Sequence, residues 1–216
     1  MPNIRMVWFD IGRVLYDSAK DELLEDLAKQ SNPALKPHEV YGKIIQSGLV
    51  TKYDLGGIST DVFAEEMQKL LGFFDRRWFL TRWQKVLAPS RLMWRLVSDL
   101  RRGFYPLGII SNINETHIEY LEEVISWGTI KQLKPRVYSC REGVKKPDPK
   151  IYQIALEKAN KEYPWHEELM PNECVFIDDL SENVEAARTL GWYAIQHNQS
   201  FATGTLLKLS ELGVRI

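Results

Sequence analysis

Short apolar runs that end in polar or turn-forming residues recur along this chain, and amphipathic helical stretches separate the later ones. Runs that are apolar at every position, instead of at alternate positions, indicate strands buried on both faces. Strands that alternate with helices are typical of a parallel sheet covered by helices on both sides. We therefore predict an α/β fold with a Rossmann-like, doubly wound parallel sheet. The predicted strands are MVWFD (6–10), LGIISN (107–112), RVYSC (136–140), CVFIDD (174–179) and YAIQH (193–197).

One long segment interrupts this alternation, because residues 17–99 carry helical patterns almost throughout. A helix N-cap signal at Ser59 follows a Gly-Gly turn, so the segment is divided into several helices. The segment lies between the first predicted strand and the second. We predict an α/β core made of residues 1–16 and 100–216, with an all-helical cap, residues 17–99, inserted over the crevice at the sheet edge.

Composition limits the possible partners. The chain of 216 residues suits one large domain, or a core with a smaller inserted module. Its formal net charge of −1 argues against a basic surface for nucleic acid or anionic membranes.

No apolar run reaches the ~18 residues of a membrane-spanning helix, and the first residues lack a secretion signal. Cys140 and Cys174 are expected to be free thiols. We expect a cytoplasmic monomer or homodimer that binds neither nucleic acid nor membranes.

Polar side chains stand at the carboxyl ends of three predicted strands. Asp10 ends the first strand, Ser111 and Asn112 end the second, and Asp178 and Asp179 end the fourth. In open α/β sheets, ligands bind outside the carboxyl ends of the strands. We therefore expect these five residues, which are far apart in sequence, to line one crevice.

Asp178 and Asp179 are the most informative of these residues. Adjacent carboxylates repel each other in a poorly solvated crevice unless cations lie nearby. Because Mg²⁺ prefers hard oxygen ligands, the pair predicts a Mg²⁺ site. Successive strand residues point to opposite sides, so one carboxylate is expected to bind the metal and the other to hold a lysine. The alternative interpretation places both acids at the start of a helix, where they would favour the helix dipole.

The other candidate residues also have a chemical and a structural interpretation. Asp10 is either a nucleophile or metal ligand, or a cap of the next turn. Lys146 precedes Pro-Asp-Pro, whose prolines set the backbone and suit a cation that neutralises one anion, although a solvated loop lysine also fits. Ser111 and Asn112 form either an anion cradle with backbone N–H groups or an ordinary N-cap.

Together these residues resemble the haloacid dehalogenase-like superfamily of hydrolases. Four motifs appear in the family's order, where h is an apolar residue: hhhhD at Asp10, hhhSN at Ser111, GxxKPDP around Lys146 and hhhDDxxxN from Asp178. The inserted helical segment resembles the cap that this family carries after its first motif. The resemblance extends over the whole α/β core.

The resemblance implies a Mg²⁺-dependent phosphatase that forms an aspartyl-phosphate on Asp10. The metal would be held by Asp10, by the backbone carbonyl of Gly12 and by a carboxylate of the Asp178/Asp179 pair, with Asp179 as the favoured direct ligand.

The resemblance also implies how the substrate, a small phosphorylated metabolite, would be bound. Lys146 and Ser111 would bind the phosphoryl oxygens, with Asn112 in the same phosphate-binding segment and Asp178 steadying Lys146. Lys146 would be catalytic together with Asp10, because phosphoryl transfer requires mainly positioning and neutralisation of charge.

Gly12 departs from the family's usual D-x-D pattern, in which the second Asp protonates the leaving oxygen. Such acid–base assistance is typically worth about 100- to 10,000-fold in rate.

Three interpretations of the glycine at position 12 are open. One interpretation is a phosphatase that acts on good leaving groups. FDIGRV resembles a bacterial sugar-phosphatase-like subgroup with an F-D-h-G-x-V first motif, which includes phosphatases of α-glucose 1-phosphate. A second is a non-catalytic regulatory protein that binds Mg²⁺ or phosphate. A third is a haloacid dehalogenase, against which the Asp178-Asp179 pair argues.

Two further side chains near the motifs are expected to be peripheral. Arg13 could contact phosphate, but a position in solvent or in a cap contact is favoured. His117 lies in the helix after the second motif and is expected to be a surface or capping residue.

Overall fold

Five parallel strands with helices on both sides form the core of the computed structural model. The structure describes residues 2–73, 75–124, 127, 129–164 and 166–216. The strands of the described chain are β1 (Met6–Phe9), β2 (Tyr16–Ser18), β3 (Leu87–Pro89), β4 (Leu107–Ser111), β5 (Arg136–Tyr138), β6 (Cys174–Asp178) and β7 (Tyr193–Gln196). The helices are α1 (Lys20–Gln30), α2 (Pro37–Ser47), α3 (Leu49–Asp54), α4 (Thr60–Leu71), α5 (Arg76–Gln84), α6 (Arg91–Arg102), α7 (Glu115–Glu119), α8 (Ser139–Glu142), α9 (Pro149–Glu162), α10 (Ser181–Thr189) and α11 (Thr203–Glu211).

The sheet has the order β5-β4-β1-β6-β7, and all of its strands are parallel. Every predicted strand is present, so the predicted doubly wound α/β fold is confirmed. β1 lies between β4 and β6, and Phe9 is in register with Ile109 on one side and with Ile177 on the other. The carboxyl ends of these three strands therefore meet at one edge of the sheet, where the chain changes direction and where ligands bind in such folds.

Alternate residues of β1 pack on opposite faces of the sheet. Val7 and Phe9 belong to one apolar cluster, together with residues of α6 and α7, whereas Met6 and Trp8 belong to a second cluster with residues of α9 and α10. All four side chains are fully buried. This explains why the sequence of the strand is apolar at every position, since both of its faces are covered.

A separate apolar cluster lies within helices α1 to α5 and forms the interior of the cap. The sequence suggests one helical stretch over residues 38–50, but the structure has two helices there, because Gly48 has a left-handed φ of 66° and ends α2. The antiparallel pair of β2 and β3 connects the cap to the core, with Asp17 opposite Ala88.

Helix α6 packs with the core. Its buried residues, among them Trp94 and Leu100, belong to the cluster on one face of the sheet and not to the cap cluster. Residues 91–99 of the predicted cap therefore make core contacts, and the division into 1–16 with 100–216 and 17–99 stays a prediction.

Three further expectations meet the structure. The sequence ETHIEYLEEVISW predicts a helix over residues 115–127. The structure has α7 there, which continues as a π-helical turn from Tyr120 to Val124, and residues 125 and 126 lie outside the described part of the chain. Cys140 and Cys174 are free thiols, as predicted. Among the described helices, none has the length and apolar character that crossing a membrane requires.

Candidate active site

Three carboxylates come together at the carboxyl edge of the sheet. Oxygen atoms of Asp10, Asp178 and Asp179 all lie within 4.8 Å of one another. Asp10 follows β1 directly, and its backbone N–H donates a hydrogen bond to the carbonyl of Ile177 at 2.9 Å, which continues the pairing with β6. The parallel register of β1 and β6 therefore places residues that are 168 positions apart in contact.

The side chain of Lys146 joins two of these carboxylates. Its Nζ lies 2.8 Å from Oδ1 of Asp10 and 2.6 Å from Oδ2 of Asp178, and it also donates to the carbonyl of Ile110 at 2.9 Å. Lys146 is 2% exposed and Asp178 is fully buried. A buried charge of this kind is stable only when it is paired and hydrogen-bonded. Lys146 is therefore not a solvated loop lysine, which was the alternative that its sequence position allowed.

Asn112 holds Lys146 in this position. Its Oδ1 accepts a hydrogen bond from the backbone N–H of Lys146 at 2.8 Å, and its Nδ2 donates to the carbonyl of Lys146 at 2.9 Å. Both polar atoms of the amide are thus engaged with one residue. The predicted contribution of Asn112 to phosphate binding stays a prediction, and the observed contacts give its side chain a positioning role.

The two carboxylates of the Asp178/Asp179 pair have different surroundings. Oδ1 of Asp178 accepts hydrogen bonds at 2.9 Å from the backbone N–H of Leu180 and from Nδ2 of Asn183, while its other oxygen contacts Lys146. Asp179, whose side chain is 12% exposed, instead pairs with the more exposed Arg13. Asp178 is therefore bound by groups of the chain itself, and Asp179 has more capacity to accept an external cation.

These contacts change the acidity of the site. Burial raises the pKa of Asp10 to about 6, although the charge of Lys146 and hydrogen bonds from Lys146 and Ser111 oppose the rise. Burial on its own lowers the pKa of Lys146, but Asp10 and Asp178 outweigh it and raise the value, so the ammonium form is favoured. Burial and the charge of Asp178 raise the pKa of Asp179, against the opposing effect of Arg13.

The loop after Asp10 is a tight turn that leaves the Gly12 position open. The N–H of Tyr16 donates to Ile11 at 2.9 Å and the N–H of Arg13 donates to Tyr16 at 2.6 Å, so neither of these bonds uses the Gly12 carbonyl. A Cβ atom at Gly12 would meet no atom within 4 Å. Nothing in the packing around Gly12 therefore requires a glycine.

Arg13 lies in this loop, and sequence reasoning underestimated its role in the site. Its Nε is 3.3 Å from Oδ2 of Asp179, while its side chain is 61% exposed. The expectation of exposure is confirmed, but the contact with Asp179 was missed. The contact could have been predicted, because Arg13 follows Asp10 by three residues and so lies near the predicted crevice lined by carboxylates.

The donor set of this crevice fits a Mg²⁺ ion. In the described part of the chain, the three carboxylates pair with two cations, Lys146 and Arg13, so the group keeps an excess of negative charge. Carboxylate and carbonyl oxygens are the ligands that Mg²⁺ prefers. Asp10 and Asp179 are therefore suited to hold the ion, and the carbonyl of Gly12 stays a predicted ligand.

A pocket of about 570 Å³ adjoins Asp179, one of the three carboxylates. Arg13 and Asp179 form one wall, and residues at the end of β7 and the start of α11 form the others. The lining is mainly polar and includes His197, Gln199 and Lys208. A polar pocket of this size next to the site has room for a small organic group.

The cap rests on the loop that follows β4. Nδ2 of Asn114 donates to Oδ1 of Asp54 at 2.9 Å, and the hydroxyl of Tyr53 contacts that of Thr116. His117, expected to be a surface or capping residue, is half-buried, and its Nε2 lies 2.9 Å from the carbonyl of Trp83 in the cap. Asn112, which holds Lys146, begins the same loop directly after β4, so the cap is in contact with the segment that positions this lysine.

Curated relatives include enzymes of different lengths. The chain is 26% identical over 199 residues to acyl-CoA dehydrogenase family member 10 of Mus musculus, and the match covers 89% of this chain but 18% of that protein. It is 23% identical over 211 residues to D-ribitol-5-phosphate phosphatase of Bacteroides thetaiotaomicron, covering 89% of this chain and 91% of the relative. The chain thus spans less than a fifth of the mouse protein and nearly all of the bacterial one.

Solved structures and a family model agree on the fold. A HAD family enzyme of Bacteroides thetaiotaomicron superimposes with a TM-score of 0.79 at 19% identity, over 95% of this chain and 98% of that chain. A complex of such an enzyme with magnesium and inorganic phosphate gives a TM-score of 0.75 at 20% identity, over 91% and 95% of the two chains. A family model described as haloacid dehalogenase-like hydrolase matches residues 4–191, and the chain therefore belongs to that family.

Proposed function

We propose that this protein is a Mg²⁺-dependent phosphatase that hydrolyses small phosphomonoesters through an aspartyl-phosphate on Asp10. The observation that carries this proposal is the buried group of Asp10, Lys146 and Asp178 beside Asp179. Phosphoryl transfer requires mainly positioning and neutralisation of charge. This group offers a nucleophile, a fixed cation and further carboxylates in one place.

The reaction would proceed in two steps. An oxygen of Asp10 attacks the phosphorus, and the bond to the leaving oxygen breaks. Lys146, whose Nζ is 2.8 Å from Oδ1 of Asp10, neutralises charge on the phosphoryl oxygens, and the hydroxyl of Ser111 beside Asp10 donates a hydrogen bond to them. Water then attacks the phosphorus, which releases phosphate and restores the Asp10 carboxylate.

The metal would be held by Asp10, Asp179 and the carbonyl of Gly12, while Asp178 orients Lys146. When bound, Mg²⁺ would supply positive charge to the phosphoryl group and orient the ester. Lys146 would supply the second positive charge. Hydrogen bonds of Lys146 with Asn112 and with Asp178 hold it in place for this role.

The relatives support a phosphatase and leave a wide choice of substrates. One relative is named D-ribitol-5-phosphate phosphatase, and another, from Aspergillus oryzae, is named sesquiterpene phosphatase. For this chain we propose a small phosphorylated metabolite, with a sugar phosphate as the first candidate because the pocket beside Asp179 is polar. An anomeric sugar 1-phosphate is attractive, since its leaving oxygen needs little protonation.

The test is phosphate release in the presence of Mg²⁺ from anomeric sugar phosphates, sugar 6-phosphates, polyol phosphates and a nitrophenyl phosphate. The Asp10→Asn variant serves as the inactive reference, and Asp21→Asn, at an exposed position in α1, serves as the matched control. We expect turnover that requires Mg²⁺ and Asp10 and that survives Asp21→Asn.

A regulatory protein that binds Mg²⁺ or phosphate is the second candidate, and the missing acid at Gly12 favours it. No turnover of any ester by folded wild-type protein that still binds Mg²⁺ in calorimetry would support this candidate and refute the phosphatase. Halide release from a 2-haloacid without metal would instead support a dehalogenase.

A further inference from the structure

We infer that Arg13 is a catalytic residue whose guanidinium stabilises the negative charge on the leaving oxygen of the ester. This inference rests on the proposed phosphatase function and deepens it. It assigns a group of this chain to the step that lacks the family's usual acid at Gly12.

The backbone directs Arg13 into the site. Its φ of 58° lies in the left-handed region, which residues other than glycine adopt rarely and which is often found at functional sites. The turn is closed by the bond from its N–H to the Tyr16 carbonyl at 2.6 Å. This conformation leaves Nε 3.3 Å from Asp179, one of the three clustered carboxylates.

Among the described residues, two cations contact the carboxylates, and they differ in exposure. Lys146 is 2% exposed and is enclosed by Asp10, Asp178 and Ile110. The side chain of Arg13 is 61% exposed and lines the pocket at the mouth of the site. In an in-line displacement the leaving oxygen is opposite the attacking oxygen. Asp10 is 8% exposed, so we expect its attack to come from the protein interior and the leaving oxygen to face the mouth, which Arg13 lines.

The space for this contact is present. A Cβ atom at Gly12 would have no neighbour within 4 Å beyond the adjacent residues, so the space next to the Gly12 backbone is free of packed side chains. The Arg13 side chain is 61% exposed, so the guanidinium can turn towards the leaving oxygen at the cost of its contact with Asp179. Asp179 is the residue that we propose as a metal ligand, so a bound cation would replace Arg13 as its partner.

A guanidinium acts on this step by electrostatics and not by proton transfer. As the phosphorus–oxygen bond breaks, its electron pair stays on the leaving oxygen, and Arg13 donates hydrogen bonds to that anion while keeping its own protons. The alkoxide or phenoxide then takes a proton from water. Hydrolysis of the aspartyl-phosphate consumes a water molecule, so the overall products are the alcohol and phosphate.

The dependence of rate on the leaving group tests this role. kcat/KM reports the step in which the leaving group departs, so it would be measured for a series of esters from nitrophenyl phosphate through phenyl phosphate to alkyl phosphates. The proteins compared are wild type, Arg13→Gln, Arg13→Lys and the control Arg95→Gln, at an exposed position in α6. Mg²⁺ affinity of each is measured by calorimetry without substrate.

We expect Arg13→Gln to lower kcat/KM about 100-fold for alkyl phosphates, which is the order of loss for one donor to a developing oxyanion. The loss should shrink steadily as the leaving phenol becomes more acidic, because less charge needs stabilisation. Arg13→Lys should restore part of the activity, and Arg95→Gln should behave as wild type.

Two results would overturn the inference. A loss that is equal for all esters and is accompanied by weaker Mg²⁺ binding would mean that Arg13 acts on Asp179 and not on the leaving oxygen. An unchanged rate for alkyl esters would mean that it has no role in the reaction. If the wild-type protein hydrolysed none of the esters, the proposed phosphatase function would be refuted. This outcome is distinct from the two above, because both of those require an active wild-type protein.

Discussion

The Nζ atom of Lys146 lies 2.6 Å from Oδ2 of Asp178, and both side chains are almost completely removed from solvent. Asp10 shares the same ammonium group at 2.8 Å. One cation thus compensates two buried carboxylates, so removing it would leave buried negative charge without a partner.

Replacing Lys146 with methionine tests this dependence. Breaking a buried ion pair by removing one partner typically costs about 3–5 kcal/mol, because a charge is left buried without compensation. We expect Lys146→Met to lower the free energy of unfolding by this amount in urea denaturation and to abolish turnover. The neighbouring Lys145→Met is the control and should change stability far less. Equal losses of stability in the two variants would contradict the view that Lys146 compensates buried carboxylates.

Introducing an acid at position 12 tests the consequence of the missing aspartate. The Gly12 position is sterically open and does not have a left-handed φ, so we expect Gly12→Asp to fold. The new carboxyl group could protonate the leaving oxygen, which is worth about 100-fold or more for poor leaving groups. The measurement is kcat/KM for alkyl phosphates, with Gly12→Ala as the control. A gain in both variants, or in neither, would argue against a missing acid as the limitation.

Gly56 tests the contact between cap and core. It has a left-handed φ of 68°, and a Cβ atom there would lie 2.1 Å from the carbonyl oxygen of Cys140 in the core. We expect Gly56→Ala to destabilise the protein by about 1–3 kcal/mol through this clash and the backbone strain, and to raise protease sensitivity near α3. Gly42→Ala, in an uncrowded part of α2, should be neutral or stabilising. A stable Gly56→Ala protein would mean that the cap does not dock as described.

Asp54 should make stability depend on pH. Burial raises its pKa from 3.8 to about 6, against the hydrogen bond from Asn114 and the charge of Lys145. Because the folded state binds more protons than the unfolded state between these values, this group's contribution is most favourable below about pH 4 and declines as the pH rises to 6.

The Asp54→Asn variant removes this titration but keeps an oxygen for Asn114. The wild type should lose stability through this group as the pH rises. The free energy of unfolding of the variant minus that of wild type should therefore increase by up to about 3 kcal/mol from pH 4 to pH 7. Urea denaturation of both proteins at several pH values measures the difference. A difference that does not change with pH would show that Asp54 is not buried as a carboxylate.

The sequence alone was enough to predict the strands, the insertion of helices after the first strand and the convergence of Asp10, Ser111 and Asp178 at one sheet edge. These features depend on local properties: uninterrupted apolar runs, turn residues after them and the rule that parallel strands present their carboxyl ends together. The order of the motifs led to the family, which the family model confirms.

Only the tertiary structure decided how these residues share their contacts. Asn112 turns out to use its whole amide on the backbone of Lys146, Arg13 reaches Asp179, and α6 packs on the sheet. Such contacts join positions far apart in sequence, and they depend on distances and side-chain directions that no local pattern contains. The apolar pattern therefore determined which strands and helices form, whereas packing in three dimensions determined which polar atom meets which.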